Sequence, residues 1–316
     1  MRVVITGGAG FIGSHLCDRY INENHEVLCL DNFITGSKTN ITQLMQNPKF
    51  TLIECDISDG LPVDGPVDRI LHMASPASPI GYLSNPLLTL RAGSLGTFHA
   101  LDLARKHDAR ILLASTSEIY GDPKVHPQTE DYWGNVNPIG LRSVYDEAKR
   151  FSESVVMCYH RQYGVQTRIV RIFNTYGPRM QANDGRALPT FLSQALAGEP
   201  LTVFGDGKQT RSFCFVSDLV EGLCRLLESS FTEPVNLGNP DEITVIELAR
   251  EICDLVDQAS DIRFETLPQD DPQLRRPDIS RAQDILDWNP TVTRQEGIAR
   301  TLDHFRQVLQ HTPSSL

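Results

Sequence analysis

The chain has 316 residues, of which 40% are hydrophobic, and its 29 Lys and Arg against 40 Asp and Glu give a formal net charge of −11. This composition is typical of a globular protein and excludes a disordered chain, a collagen and a miniprotein. The acidic balance argues against nonspecific binding to nucleic acid or to an anionic membrane, because both need a broad basic surface. We expect neither partner, although local arginines still allow an anionic small ligand.

The seven cysteines indicate a cytoplasmic protein with reduced thiols. Their number is odd, no CxxC pair occurs, and several lie in apolar runs such as Val27-Leu28-Cys29-Leu30. No apolar stretch approaches the roughly 20 residues of a membrane-spanning helix, and a predicted strand directly after Met1 leaves no room for a secretory signal. The nine histidines show no metal-ligand spacing, so we expect no metal site.

The first half of the chain alternates short β-branched runs with helical patterns. The predicted strands are 3–5, 27–30, 51–55, 69–72, 110–114 and 167–173, and the predicted helices are 11–24, 86–107 and 143–163. This alternation predicts an α/β fold with a Rossmann-type, doubly wound parallel sheet. After residue 173, stretches rich in Pro and Gly alternate with shorter helices near 188–197, 217–229, 244–257 and 294–310, which predicts a smaller α/β substrate lobe.

A glycine-rich segment joins the first predicted strand to the first predicted helix. Gly8, Gly10 and Gly13 satisfy GxGxxG, and Gly7, Gly10 and Gly13 satisfy GxxGxxG. Glycines here allow a tight turn and bring the backbone close to a pyrophosphate, which the helix N-terminus attracts. Asp31 ends the second strand, 18 residues after Gly13, where its carboxylate can accept from ribose hydroxyls and repel a 2′-phosphate. The pattern therefore predicts NAD rather than NADP.

The predicted NAD site extends over the ends of several strands. We assign 1–173 to an NAD-binding Rossmann domain, to which 213–238 returns, and 174–316 mainly to the substrate lobe. The predicted cofactor-binding residues are Gly7, Gly10, Phe11, Ile12, Gly13, Asp31, Asn32, Phe33, Thr35, Gly36, Asp56, Ile57, Met73, Ser75, Ala114, Tyr145, Lys149 and Thr175. Asp56 follows the third strand, where a helix-capping role is an equally good interpretation.

Tyr145 and Lys149 form a candidate catalytic pair. They are four residues apart in a predicted helix and therefore project from one face. A lysine ammonium beside the phenol, with the cationic nicotinamide ring nearby, favours the phenolate, so we expect the pKa of Tyr145 to fall from about 10 toward neutrality. A YxxxK pair is often an ordinary surface pair. The run Ser115-Thr116-Ser117-Glu118 at the end of a strand favours the catalytic interpretation, because it would open into the same cleft.

With these motifs, essentially the whole chain resembles the extended short-chain dehydrogenase/reductase family. Within it, the runs 72–79, 115–123, 126–128 and 132–140 look like those of the UDP-glucuronic acid decarboxylases, also called UDP-xylose synthases. That family commonly reads Cys-Tyr-Asp-Glu-Gly-Lys at the catalytic helix. This chain departs from it at Val144 and Ala148, which flank the catalytic pair.

The resemblance implies a closed redox cycle on a UDP-sugar substrate. Tyr145 takes the proton of the sugar C4 hydroxyl while a hydride passes to NAD, and the resulting β-keto acid loses carbon dioxide. Thr116 and Tyr145 would stabilise the enolate, Glu118 would manage protonation at C5 through water, and the returning hydride would give UDP-xylose. The predicted catalytic residues are Tyr145, Lys149, Thr116, Ser117, Glu118 and Arg275.

Arg275 matches the family arginine that holds the substrate carboxylate. From pattern alone, its Arg-Arg-Pro-Asp turn could equally be a surface ion-pair cluster. The predicted substrate-binding residues are Tyr82, Arg91, Asn174, Arg179, Arg186, Val203, Gly205, Arg211 and Arg275. The resemblance also implies a homodimer with a four-helix interface, formed by the helices near 86–107 and 143–163.

Four alternatives remain open. An oxidative decarboxylase that releases the 4-keto pentose would keep nearly the same residues. A 4,6-dehydratase needs an acid where this chain has Ser117, and a 4-epimerase has no use for Arg275 or Glu118. A nonenzymatic NAD-binding relative would normally lose Tyr145, Lys149 or the adjacent hydroxyl, and this chain keeps all of them.

Overall fold

The computed structural model describes residues 1–256, 261–266 and 274–311. The strands are β1 (Arg2–Thr6), β2 (Glu26–Asp31), β3 (Phe50–Glu54), β4 (Arg69–His72), β5 (Arg110–Thr116), β6 (Thr167–Ile172), β7 (Thr175–Tyr176), β8 (Leu201–Phe204), β9 (Thr210–Ser212), β10 (Cys214–Phe215), β11 (Pro234–Leu237), β12 (Glu242–Thr244) and β13 (Ile262–Glu265). The helices are α1 (Phe11–Asn22), α2 (Pro79–Ser84), α3 (Pro86–Arg91), α4 (Thr97–His107), α5 (Ser143–Tyr163), α6 (Ala187–Ala197), α7 (Val216–Glu228), α8 (Val245–Leu255), α9 (Ser280–Leu286) and α10 (Arg294–His311). Short 3₁₀ helices lie at Lys38–Leu44 and Ser117–Tyr120, and a π-helical turn lies at Ala92–Gly96.

Seven parallel strands form the central sheet in the order β11-β6-β5-β4-β1-β2-β3. The order reverses between β1 and β4, and a doubly wound sheet binds its ligand at the carboxyl ends of the strands near such a switch point. The predicted Rossmann-type fold is therefore confirmed. β11 pairs with β6, so a strand from beyond residue 173 completes the sheet. The predicted domain boundaries themselves stay a prediction.

The strands are apolar on both faces because each face carries its own core. Val3 and Ile5 of β1 pack in one hydrophobic cluster, whereas Val4 between them packs in the other, and all three are fully buried. This is the alternation expected of a strand covered by helices on both sides. The second half of the chain adds three two-stranded sheets, β7 with β10, β9 with β12 and β8 with β13.

The predicted helix over 86–107 is interrupted. α3 and α4 are joined by the π-helical turn, whose Gly93 and Gly96 sit against neighbouring elements. A Cβ on Gly93 would come within 2.7 Å of the Ala148 methyl group on α5, and a Cβ on Gly96 would come within 2.5 Å of Ile57 Cδ1. Gly93 thus leaves room for Ala148, one of the two departures from the family motif. Among the described residues, no helix is long and apolar enough to cross a membrane.

Candidate active site

A cavity of about 840 Å³ opens at the carboxyl ends of the central strands and continues to residues of the second half. Its wall contains the glycine-rich loop after β1, the ends of β2, β4 and β5, and the first turns of α5. The opposite wall is formed by residues 172–191 and by parts of β8 and β9. The cavity therefore lies at the switch point of the sheet, where the topology predicts a ligand.

The glycine-rich loop is shaped as a pyrophosphate cradle. Gly7 has a φ of +68°, and a Cβ there would lie 2.8 Å from Ala74 Cα. A Cβ on Gly13 would lie 2.1 Å from the Gly7 carbonyl oxygen, so α1 packs against the loop without space for a side chain. Gly10 precedes α1 directly. Backbone N–H groups at this helix N-terminus are left to face an anion, so the residues present fit a dinucleotide.

Asp31 organises the loop on which the adenosine half of a dinucleotide would lie. Its carboxylate accepts hydrogen bonds from the N–H groups of Ala9 (2.9 Å) and Phe33 (2.8 Å). Burial raises the pKa of Asp31, and the backbone N–H groups oppose that shift. A Cβ on Gly36 would come within 2.7 Å of the Asp31 carboxylate, so the next loop closes tightly over this residue.

Tyr145 lies deep in the cavity and stacks on Tyr82. The two rings are nearly parallel, 6° apart, with centroids at 5.2 Å. Lys149 Nζ lies 5.8 Å from the centre of the Tyr145 ring and donates to the carbonyl oxygen of Ala114 at 2.8 Å. The helical spacing therefore places both side chains at one point of the cavity wall, as the sequence predicts.

The protein groups alone do not give Tyr145 the lowered pKa that is expected beside both Lys149 and the nicotinamide ring of bound NAD. Burial raises the pKa of Tyr145 well above its usual value, and a hydrogen bond with the Thr116 side chain opposes this only in part. Burial also lowers the pKa of Lys149 to about 8. Both shifts have the same cause, because an apolar cavity disfavours the phenolate and the ammonium alike.

Glu118 is held between two arginines. Its Oε2 accepts from Arg142 Nη2 at 2.7 Å, and its Oε1 accepts from Arg275 Nη1. Burial alone would raise the pKa of Glu118, but Arg275 and Arg142 outweigh it and lower the pKa to about 2. Arg275 Nη1 also lies 3.4 Å from Ser117 Oγ, and Arg275 Nη2 donates to the Gly121 carbonyl at 3.2 Å. Arg275 is only 3% exposed, so the surface-cluster alternative for this arginine is wrong.

Most of the predicted site residues line this one cavity. Those in its wall are Gly7, Gly10, Phe11, Ile12, Gly13, Asp31, Asn32, Thr35, Asp56, Ile57, Met73, Ser75, Tyr82, Ala114, Thr116, Ser117, Glu118, Tyr145, Lys149, Asn174, Thr175, Arg179, Arg186, Arg211 and Arg275. Ser75 Oγ is buried and has no hydrogen-bond partner, which leaves it available to a ligand.

Five predicted residues are not brought to the cavity wall: Phe33, Gly36, Arg91, Val203 and Gly205. Phe33 and Gly36 support Asp31 instead. Arg91 pairs with exposed Asp59 at 3.2 Å, and Val203 is fully buried in β8. Their binding roles stay predictions, and the structure gives Arg91 a different partner.

Two of the arginines predicted to bind the substrate already have acidic partners. Arg179 Nη2 pairs with Asp18 of α1 at 2.6 Å, and Arg186 Nε donates to Asp184 at 2.7 Å. Nη1 of Arg179 is buried without a hydrogen-bond partner, so this guanidinium keeps a free donor.

Sequence reasoning missed two charged residues, Asp146 in α5 and Arg142 directly before that helix. Arg142 lies three residues before Tyr145 and reaches Glu118, a spacing that the helical pattern could have indicated. Asp146 is 6% exposed, its Oδ1 has no partner, and burial together with nearby Glu118 raises its pKa to about 7. In the described ranges, no cluster of three or more His, Cys, Asp or Glu is arranged to hold a metal ion.

Comparisons with known proteins identify the family. The model of the NAD dependent epimerase/dehydratase family matches residues 3–238. This chain belongs to that family. It is 53% identical over 307 residues to UDP-glucuronic acid decarboxylase 6 of Arabidopsis thaliana, covering 97% of this chain and 89% of that protein. It is 52% identical over 310 residues to UDP-glucuronic acid decarboxylase 1 of Danio rerio, covering 98% and 74%.

A solved structure shares the fold over nearly the whole chain. The crystal structure of UDP-glucuronic acid 4-epimerase from Bacillus cereus, in complex with UDP-glucuronic acid and NAD, superimposes with a TM-score of 0.86 at 28% identity. The match covers 98% of this chain and 100% of that one. Together, these relatives confirm the predicted resemblance to the UDP-glucuronic acid decarboxylases and the prediction of an NAD-dependent enzyme.

Proposed function

We propose that this protein decarboxylates UDP-glucuronic acid to UDP-xylose in an NAD-dependent cycle. The observation that carries the proposal is the position of Arg275, a buried guanidinium at the same end of the cavity as Thr116, Ser117 and Glu118. A guanidinium there can bind the sugar carboxylate through two parallel hydrogen bonds. Half-identical relatives named UDP-glucuronic acid decarboxylase support the same substrate.

NAD would be held by the Gly7–Gly13 loop, by Asp31 and by the residues after β4. When bound, it supplies a reversible hydride acceptor for the sugar C4 position. The glycine cradle fits its pyrophosphate, and Asp31 fits an adenosine ribose with free hydroxyls.

Tyr145 is the group that would exchange a proton with the C4 hydroxyl. The Tyr82 ring holds it in orientation, and Lys149 keeps an ammonium beside it. Because burial raises the pKa of Tyr145, the phenolate forms only when positive charge lies close to it in the cavity. Once protonated, Tyr145 and the Thr116 hydroxyl can both donate to the enolate oxygen that develops as carbon dioxide leaves.

Glu118 cannot donate a proton near neutral pH while both arginines bind it, since its pKa is about 2. A substrate carboxylate that pairs with Arg275 would compete with Glu118 for that guanidinium. Release of one arginine raises the pKa of Glu118, because less positive charge then favours its ionised form. The predicted role of Glu118 at C5, through a water molecule, would therefore begin with substrate binding.

The test is to incubate the protein and NAD with one nucleotide sugar in each of three reactions. The three nucleotide sugars are UDP-glucuronic acid, UDP-glucose and dTDP-glucose. We expect carbon dioxide release and a new nucleotide sugar from UDP-glucuronic acid only. Epimerisation of UDP-glucose or dehydration of dTDP-glucose, without turnover of UDP-glucuronic acid, would overturn the proposal in favour of a 4-epimerase or a 4,6-dehydratase.

We further propose that two copies of the chain form a homodimer through a four-helix interface. We also propose that the protein is cytoplasmic. The α3–α4 segment, joined by its π-helical turn, packs beside α5, and their outer surfaces leave Leu87 (73%), Phe98 (37%) and Phe151 (45%) exposed. The rings of Phe98 and Phe151 lie 6.1 Å apart, so the two helices present one apolar face. The seven cysteines, all within the described ranges, form no disulfide, which supports a reducing compartment.

Light scattering of the wild type and of the double variant Phe98→Glu with Phe151→Glu tests this interface. The wild type should have twice the mass of one chain, and the variant the mass of a single chain. A variant that keeps the wild-type mass would exclude this face.

A further inference from the structure

We propose that Gln128 is a positioning residue for Arg275, an inference that rests on the proposed role of Arg275 in holding the substrate carboxylate. Gln128 is 1% exposed and lies in the loop between β5 and α5. It forms an isolated parallel bridge with Pro277, two residues beyond Arg275. It is absent from the cavity wall, so it acts through its neighbour and not on the substrate.

Three hydrogen bonds fasten Gln128 to the backbone beside Arg275. The Gln128 N–H donates to the Arg276 carbonyl at 2.9 Å, and the Asp278 N–H donates to the Gln128 carbonyl at 2.8 Å. The Gln128 side chain adds the third bond, because its Oε1 accepts from the Arg276 N–H at 2.9 Å. Both the backbone N–H and the backbone carbonyl of Arg276 are therefore hydrogen-bonded to Gln128.

The amide of Gln128 suits this position because it both accepts and donates. While Oε1 accepts from Arg276, Nε2 donates to the Val125 carbonyl at 2.9 Å. A glutamate would set a carboxylate oxygen against that carbonyl, and a methionine of similar size would make neither bond.

Asn236 connects the hydrogen-bonded Gln128 to the 3₁₀ helix Ser117–Tyr120. Its Nδ2 donates to the carbonyl oxygens of Gln128 (3.0 Å) and Asp278 (3.1 Å), and its Oδ1 accepts from the Tyr120 hydroxyl at 2.8 Å. Tyr120 ends the short helix that contains Ser117 and Glu118. The backbone of Arg275 and the residues that its side chain meets are thus fixed to one buried network.

The segment 274–278 depends on this network for its position. It belongs to no helix or strand, and among the described residues it is linked to the rest of the fold by the isolated β-bridge at Pro277. In addition to the hydrogen bonds with Gln128, the backbone carbonyl of Arg275 accepts a longer hydrogen bond from Ser212 Oγ at 3.3 Å. Loss of the Gln128 amide should therefore shift the guanidinium, and a small misplacement of a binding group is costly in catalysis.

The test is Gln128→Met in the wild type and in an Arg275→Ala background. Loss of a buried hydrogen-bonding amide predicts about a tenfold fall in kcat/KM for UDP-glucuronic acid, mostly through KM. With Arg275 already removed, the same substitution should change kcat/KM less than about twofold, because coupled sites lose additivity. Gln166→Met changes an exposed glutamine outside the network and should leave both parameters unchanged.

Hydrogen exchange of the 274–278 amides gives a readout that needs no turnover. It should accelerate in Gln128→Met while the exchange of β1 and β5 stays as in the wild type. Equal loss of activity in both backgrounds, or unchanged exchange at 274–278, would overturn the positioning role. If the wild type does not act on UDP-glucuronic acid, the proposed function fails, and the exchange comparison still decides whether Gln128 holds this segment.

Discussion

Arg275 and Glu118 are 157 positions apart in the chain, yet the buried Arg275 side chain forms an ion pair with the partly buried Glu118. Glu118 follows the end of β5, whereas Arg275 comes from a segment without regular structure after β13. The pair brings a guanidinium from the second half of the chain to the strand end that carries the Thr116 and Ser117 hydroxyls. A site that binds a sugar with a carboxylate group needs such a positive charge.

Arg275→Gln should lower kcat/KM for UDP-glucuronic acid by about a hundredfold or more, because it removes one partner of a buried charge interaction. It should also raise the pKa of Glu118, since one of the two arginines that lower it is lost. Steady-state kinetics checks the first effect. Arg306→Gln, which alters an exposed ion pair with Asp303, is the control. Wild-type kinetics in Arg275→Gln would remove Arg275 from substrate recognition.

Tyr145→Phe should reduce kcat by about 10²–10⁴-fold, because proton transfer at C4 loses its acceptor. The stacked contact with Tyr82 is kept, so binding of UDP-glucuronic acid, measured by calorimetry, should change little. Tyr163→Phe removes an exposed hydroxyl at the end of the same helix and serves as the matched control. Turnover of Tyr145→Phe at the wild-type rate would show that another group is the base.

Lys149→Met should lose activity while gaining stability at pH 7. Burial lowers the pKa of Lys149 from 10.5 to about 8, so the folded chain holds an unfavourable charge below pH 8. Between pH 8 and 10.5 the unfolded state binds a proton that the folded state does not, and wild-type stability rises with pH. The shift corresponds to about 3 kcal/mol, reduced by loss of the hydrogen bond to Ala114.

Denaturant unfolding of the wild type and Lys149→Met at pH 7 and pH 10 checks this sign. The advantage of the variant should shrink at the higher pH. Lys106→Met, at an exposed position of α4, controls for general effects of losing a lysine. An advantage that is equal at both pH values would contradict the assigned pKa shift.

Asp31→Asn should weaken NAD binding by about tenfold, because an amide cannot accept from both Ala9 and Phe33 while it faces the ribose. Discrimination against NADP should fall as well, since the negative charge that repels a 2′-phosphate is gone. Fluorescence titration with the two reduced cofactors measures both. Asp59→Asn, at an exposed carboxylate in the loop after β3, should bind NAD as the wild type does.

The parts of the site that depend on neighbouring residues could be predicted from the sequence. The glycine loop, Asp31 at the end of β2 and the Tyr145–Lys149 pair follow from local spacing, and the structure places all of them in one cavity. The run Thr116-Ser117-Glu118 was predicted at a strand end and lies there. Local backbone geometry fixes the relative positions of these residues, so the spacing in the sequence is sufficient to predict them.

The parts that depend on distant partners could not be predicted in the same way. Arg179 pairs with Asp18 and Arg91 pairs with Asp59, whereas both arginines were predicted to bind the substrate. The raised pKa of Tyr145 reflects burial, which the spacing to Lys149 does not reveal. The spacing of Arg142 to Tyr145 was visible in the sequence, but its partner Glu118 was not, because Glu118 lies 24 positions away in another element.

The most direct test of the central claim is to follow carbon dioxide, NADH absorbance and the nucleotide sugar by NMR in one reaction of the wild type with UDP-glucuronic acid and NAD. The closed cycle predicts carbon dioxide and UDP-xylose in equal amounts, with no net accumulation of NADH. Carbon dioxide with stoichiometric NADH and a 4-keto pentose would contradict the return of the hydride and select the oxidative decarboxylase.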